Sequence, residues 1–259
     1  ILLGALIGTD ERDPQTSQIE GRFQNDYTQF CDRNGLNAKR IGVEKSYLKK
    51  TESVDALLKA ALDQIRSAGA EIIEVDFLEE MKSIGEDEYL VLLYEFKDGL
   101  NRYLSEASGK VKSLEELIAF NRANATAAMP FFTQDILEAS QAKGDLNSPE
   151  YRKAVKNVVE TSRKAINGIM DKHRLDAICG PSYGPSWCTD HVNGDYWTGY
   201  GFSGPAAMAG YPHITVPMGF VSGLPIGLSF FGKAWSEAQL IPLAFAYENL
   251  SKNRRPPEF

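Results

Sequence analysis

Two stretches carry residue types that could do chemistry. The first is "GPSYG", Gly180 to Gly184, with the G-x-S-x-G spacing. In a nucleophile elbow that spacing puts a serine on a sharp strand-to-helix turn, where its hydroxyl stands clear of the backbone. The run "LDAICG" before it reads as the required strand. The next residues, "PSWCTDHVNGD", hold Pro185 and the turn pair Asn193-Gly194, both of which oppose a helix. Ser182 is therefore expected in a strand-exit loop near a pocket, and an independent α/β serine hydrolase using Ser182 stands as an alternative.

The second stretch is "YGPSWCTDHVNGDYWTGYGFSG", Tyr183 to Gly204. It is long, aromatic and irregular, and it begins at the carboxyl end of a strand, where α/β folds hold their ligands. Asp190, His191 and Asp195 could bind the polar or amine end of a substrate, and Tyr196, Trp197 and Tyr200 could form an apolar wall. The same composition also suits a loop packed on itself. Cys179, Cys188 and His191 match no common zinc spacing, and a strand cysteine such as Cys179 belongs in a core. No metal and no cofactor is expected. His213, between Pro212 and a β-branched run, reads as the opening residue of a strand rather than a base.

The elements that must position these residues can be read from pattern. "KRIGVE" reads as a strand. Thr51 should cap a helix whose Val54, Leu57, Leu58, Ala61, Leu62 and Ile65 form one stripe, ended by Gly69. "EIIEVDF" is the next strand, so a βαβ unit and a parallel pair are expected. The middle of the chain is helical: "DEYLVLLYEFKDGLNRYL", then a helix opened by a capping box of Ser113 with Glu116. The charges around Tyr94, Glu95 and Lys97 read as a solvated face. Ser148 and Pro149 start a long helix with Val155, Val158, Val159, Ala165, Ile166, Ile169 and Met170 on one face. "HITVPMGF" and "PIGLSFFG" form a hairpin, and Ser236 with Gln239 caps the last helix. The class is α/β, helices around a mixed β-sheet.

Composition narrows the rest. The chain has 259 residues, a net charge of −7 and three cysteines. An acidic surface repels phosphate backbones, so no nucleic acid is expected as a direct partner. No apolar run approaches the roughly 18 residues that span a bilayer, so no membrane partner is expected. Few, odd-numbered cysteines favour a soluble cytoplasmic setting over a secreted one. The opening "ILLGALIGTDERDPQT" places Ile1, Leu2, Ala5 and Leu6 at helical spacing without a cap, which suggests a chain that starts inside a helix.

The segment "GPAAMAGYPHITVPMGFVSGLPIGLSFFG", Gly204 to Gly232, resembles the C-terminal signature of the amidase signature family. "DAICGP" resembles the family's strand leading into the active-site loop, and "ILLGALIGTDERDPQT" the helix and turn after its catalytic core. "LLYEFKDGLNRYL" and "AGYPHITVPMG" are most similar to members near the bacterial peptide amidases. The resemblance implies hydrolysis of a carboxamide C–N bond by a Ser–cis-Ser–Lys triad set in a Gly/Ser-rich stretch. There a neutral lysine accepts the nucleophile's proton through the bridging serine, and backbone N–H groups stabilise the oxyanion. No two serines and no two glycines are adjacent here, so no catalytic residue carries over. By resemblance, residues 1–259 are the C-terminal portion of a single amidase domain. The implied partners are the N-terminal catalytic half and a small-molecule or peptide amide substrate. Self-association of the isolated chain and a non-catalytic binding module are the remaining expectations.

Overall fold

Stretches rich in β-branched residues alternate with helical stripes along the chain. They form α1 (Leu2–Leu6), β1 (Arg40–Glu44), α2 (Glu52–Ser67), β2 (Glu71–Val75), α3 (Gly85–Glu106), α4 (Leu114–Ala123), α5 (Ala125–Ala128), α6 (Asp135–Gln141), α7 (Pro149–His173), β3 (Ala177–Pro181), α8 (Gly204–Ala209), β4 (His213–Val221), β5 (Leu224–Phe231) and α9 (Glu237–Ser251). The structure is a computed structural model and describes residues 1–19 and 21–257. Two units share the chain. One comprises Ile1–Glu79, Arg163–Ser186 and Trp197–Phe259; the other comprises Glu80–Ser162 and Trp187–Tyr196.

The first unit is built on a five-stranded sheet in the order β2-β1-β3-β5-β4. β1 pairs parallel with β2, as the βαβ pattern predicts, and also with β3, and β5 runs antiparallel to β3 and β4. The sheet is therefore mixed, the expected α/β class. β4 and β5 are joined at Ser222-Gly223, whose φ angles of 50° and 82° suit the tight turn that matches strand twist. Helices α2 and α9 pack against β4 and each other. α2 buries Val54, Leu58, Ala61, Leu62 and Ile65 of its predicted stripe, while Leu57 stays half-buried. Each of the valine, leucine and isoleucine side chains contributes about 1.5–3 kcal/mol when fully buried. Along β5 the faces alternate: Phe230 meets Tyr247 of α9 at 6.5 Å between ring centroids, and Phe231 meets Phe77 at 5.9 Å and Phe202 at 5.0 Å.

Two carboxylates tie the parallel strands together. Glu44, buried at the end of β1, accepts N–H bonds from Ser46 (3.2 Å), Phe77 (2.9 Å) and Leu78 (3.4 Å). Asp176, before β3, accepts from the Arg40 backbone N–H (2.8 Å) and the Lys39 ammonium (3.1 Å).

In the second unit α3, α4 and α6 pack together, burying Leu93, Tyr94, Leu114 and Ile118. Of the stripe predicted for the long helix, Val158, Ala165, Ile166 and Met170 are buried, and Ala154 and Ser162 join them, so the buried face is rotated slightly from the expected one. Tyr94 donates its hydroxyl to Glu150 and Tyr151 donates to Glu95, both at 2.7 Å. Lys97 donates to the Gln141 carbonyl at 2.9 Å and to the Lys143 carbonyl. These charges are not a solvated face: they hold α3 to the start of α7 and to the end of α6.

The capping expectations need correction. Thr51 and Ser236 stand at the N-caps of α2 and α9, but neither side chain accepts a helix N–H. The Ser236 hydroxyl donates instead to the Lys233 carbonyl at 2.7 Å, which leaves it no cap with Gln239. Ser113 does accept from the Glu116 N–H (3.1 Å), but the Glu116 carboxylate reaches the N–H of Lys112 (2.7 Å) rather than that of Ser113. Side-chain reach is set by backbone angles at the turn, which sequence spacing does not contain.

Packing and burial each set an outcome for stability. A Cβ on Gly180 would lie 2.6 Å from the Phe202 ring, which is itself wedged against Phe231 and Tyr47. Gly180→Ala should therefore lower stability by about 1–3 kcal/mol in denaturant titration, and an unchanged midpoint would mean that Phe202 yields. Burial also pushes the Cys179 thiol from its ordinary 9.0, and the Tyr247 phenol from 10.0, up to about 12. The folded chain holds both protons more tightly than the unfolded chain. Their contribution is thus complete below pH 9.0 and is lost as pH rises toward about 12. The denaturation midpoint should fall through that window, and Cys179→Ala should remove the earliest part of the decline. A Cys179→Ala slope identical to that of the parent would contradict this.

Candidate functional site

β3 is buried at every position and delivers the chain at its carboxyl end to Ser182. No helix comes next: residues 184–190 have no regular secondary structure. The Ser182 backbone N–H donates to the Gly227 carbonyl at 2.8 Å, so the residue continues the sheet margin rather than an elbow. Its Oγ lies 2.6 Å from Ser229 Oγ and donates to Thr215 Oγ1 at 3.4 Å, and Thr215 and Ser229 meet at 2.8 Å. The three hydroxyls satisfy one another across β4 and β5. A serine nucleophile needs a base that removes its proton, and a neighbouring hydroxyl is too weak a base for that.

The loop beyond splits between the units. In the second unit, Asp190 accepts from the N–H groups of Val192 (2.8 Å) and Asn193 (2.9 Å) and from Asn193 Nδ2 (2.9 Å). Those bonds, the Asn193 backbone first, lower the Asp190 pKa and hold it ionised inside its own turn. Asp195 accepts from the Trp187 indole N–H at 3.0 Å. His191 stacks on Phe131 with centroids 3.8 Å apart and planes 15° apart, and Tyr196 is exposed. Both carboxylates thus shape the loop, while the imidazole face and the phenol reach outward.

The other two candidates belong to the first unit. Tyr200 is fully buried and stacks on Tyr47 at 5.9 Å, a core position. Lys50 holds it there: its ammonium lies 5.1 Å from both tyrosine rings and donates to the Gly199 carbonyl. Trp197 is 63% exposed and packs edge-on against Tyr183 at 5.4 Å.

Sequence reasoning missed a groove of about 370 Å³ in the second unit, walled by Met129, Pro130, Phe131, Phe132, Ile136 and Leu137. Phe131 and Phe132 remain 58% and 51% exposed, an unusual state for adjacent phenylalanines. Buried Gln134 steadies the groove by donating to the Ile118 carbonyl (3.2 Å) and accepting from Asn121 (3.0 Å). The signal was present in "MPFFT", a proline-flanked aromatic pair between helices. The Phe131–His191 stack joins this groove to the tip of the candidate loop.

The remaining reactive side chains are quiet. Cys179 is buried in β3, as a core cysteine should be, and Cys31 and Cys188 are exposed free thiols. Among the described residues no group of three or more His, Cys, Asp or Glu could hold a metal ion. His213 does open β4; burial lowers its pKa, and its Nε2 has no hydrogen-bond partner. No described helix is long and apolar enough to cross a membrane.

Comparison with known proteins agrees with this architecture. A probable amidase of Arabidopsis thaliana is 31% identical over 266 residues, covering all of this chain and 47% of the relative. The native peptide amidase from Stenotrophomonas maltophilia is 37% identical with a TM-score of 0.88, matching all of this chain and 52% of that one. A peptide amidase bound to the competitive inhibitor chymostatin gives 38% identity and a TM-score of 0.92, again over the whole chain and 53% of the other. The chain spans about half the length of the curated relatives it matches. The Amidase family model matches residues 1–241, and the chain belongs to the amidase signature family.

Proposed function

We propose that this chain is the C-terminal portion of an amidase that hydrolyses a carboxamide C–N bond to an acid and ammonia or an amine. The observation that carries the reading is a pairing of two facts. The whole chain matches about half of a peptide amidase at a TM-score of 0.92, while no adjacent serines or glycines occur anywhere in its 259 residues. In this reading the Ser–cis-Ser–Lys triad lies in a preceding segment, and residues 1–259 complete the sheet and the substrate pocket. The apolar residues of α1 and its N-cap support a further polypeptide packed against them: Ile1, Leu2 and Leu6 are 90%, 71% and 74% exposed.

The substrate we propose is a carboxamide carried on a partly apolar chain, such as a peptide amide. Such a substrate needs apolar walls and few polar contacts. In the second unit the Phe131–Phe132 groove and the exposed Tyr196 supply walls of that kind, and in the first unit the exposed Trp197 supplies apolar surface of the same character. Asp190 and Asp195 hold the loop that presents them, because their carboxylates are already engaged in its turns.

Two experiments test this. The purified chain should not release ammonia from peptide amides, and it should gain activity when co-expressed with the first half of a family member. Turnover by the chain alone that disappears in Ser182→Ala would overturn the reading. In the full-length enzyme, Trp197→Ala should reduce kcat/KM about tenfold or more for bulky substrates and little for the smallest amides. An equal loss for all substrates, with a lower melting temperature, would make Trp197 a packing residue.

A further inference from the structure

A second cavity, of about 460 Å³, lies in the first unit and is lined by Gln18, Arg22, Arg163, Tyr211, Trp235 and Glu237, among others. It sits where β5 ends and β4 begins. His213 pairs with Phe231, and Phe231 with Ile178 near the start of β3. The chain runs on to Ser182 from the opposite end of β3.

Three features set it apart. First, it holds two guanidinium groups in a chain of net charge −7. Among the described residues neither forms an ion pair. Arg163 gives its Nε–H to the Ala209 carbonyl at 2.9 Å, which leaves its other N–H groups available. Second, both cations are stationed over rings: Arg22 Cζ lies 5.1 Å from the Trp235 ring centre and Arg163 Cζ 5.9 Å from that of Tyr211. A guanidinium held by its face keeps its N–H edge free for a ligand. Third, Trp235 has a φ of 62°, a left-handed backbone that bulky residues adopt rarely and at a cost. That conformation keeps its indole at the cavity, 41% exposed. The start of α9 adds to this, since Ser236 gives its hydroxyl to Lys233 and no side chain caps the leading N–H groups. Glu237 brings one negative charge against the two positive ones.

We propose that this cavity binds a small carboxylate carrying a flat aromatic group. The guanidinium edges match a carboxylate's two oxygens, and the Trp235 and Tyr211 rings supply apolar surface for the remainder of the ligand. The site does not rest on the amidase reading and needs no catalytic residue.

The test uses the chain with Trp187→Phe and Trp197→Phe, which leaves Trp235 as the reporting indole. Titration with benzoate should change its fluorescence saturably, and neutral benzamide of the same shape should not. Arg163→Gln and Arg22→Gln should each weaken benzoate binding about tenfold or more. Arg163 also holds the end of α8; if Arg163→Gln lowers the melting temperature, Arg22→Gln, in an exposed segment, decides. An equal response to benzamide, an absence of saturation, or unchanged affinity in Arg22→Gln overturns the proposal. Inorganic phosphate competing as well as benzoate overturns the aromatic part of it.

Discussion

Strand β3 is buried along its whole length and carries two different hydrogen-bond ladders at once, parallel to β1 and antiparallel to β5. A strand in that position tolerates no side chain that needs water, which accounts for the residues Ala177, Ile178, Cys179 and Gly180. Its glycine is as constrained as its apolar residues, because the Phe202 ring occupies the space a Cβ would need. Phe202 in turn meets Tyr47 and Phe231, so one small residue in the central strand sets the packing of three aromatic ones. The chain can leave β3 only at its carboxyl end, and that exit places Ser182 and the loop behind it.

The loop illustrates how polar residues can serve structure rather than chemistry. Asp190 and Asp195 have the composition of a binding site, yet each carboxylate is engaged by N–H groups of the loop itself. What remains free to meet a ligand is aromatic surface. Ser182 obeys the same logic, with its hydroxyl tied to Ser229 and Thr215 in a closed set of weak donors and acceptors.

Membership of the amidase signature family and a length about half that of the matched relatives bear on how the aromatic surfaces are used. The Phe131–Phe132 groove and the Arg22–Arg163 cavity lie in different units and differ in character. The first is apolar and contacts the candidate loop through His191. The second is cationic, and its tryptophan is held in a strained backbone. The two surfaces differ in character because each is built on its own secondary elements.

By itself the sequence established the α/β class, the parallel β1–β2 pair and the β4–β5 hairpin, which rest on local signals: β-branched runs, a helical stripe on α2, and a short turn between two strands. The family was legible separately, as a resemblance carried by the segment from Gly204 to Gly232. The sequence also weighed against an elbow at Ser182, because Pro185 and Asn193-Gly194 oppose the helix an elbow needs, while leaving that alternative open. The roles of individual side chains were not legible. Tyr200 and Tyr196 are four residues apart in one aromatic loop, yet one is fully buried on Tyr47 and the other exposed. Lys97 read as a solvated charge and instead holds two carbonyls at the end of α6. The expected caps at Thr51 and Ser236 did not form. For the tyrosines and Lys97 the outcome depends on which distant residue arrives alongside, and for the caps on backbone angles at the turn; spacing along one chain encodes neither. Burial is decided by contacts between residues far apart in sequence, and partner choice by the exact backbone path as well, so only the tertiary structure could assign them.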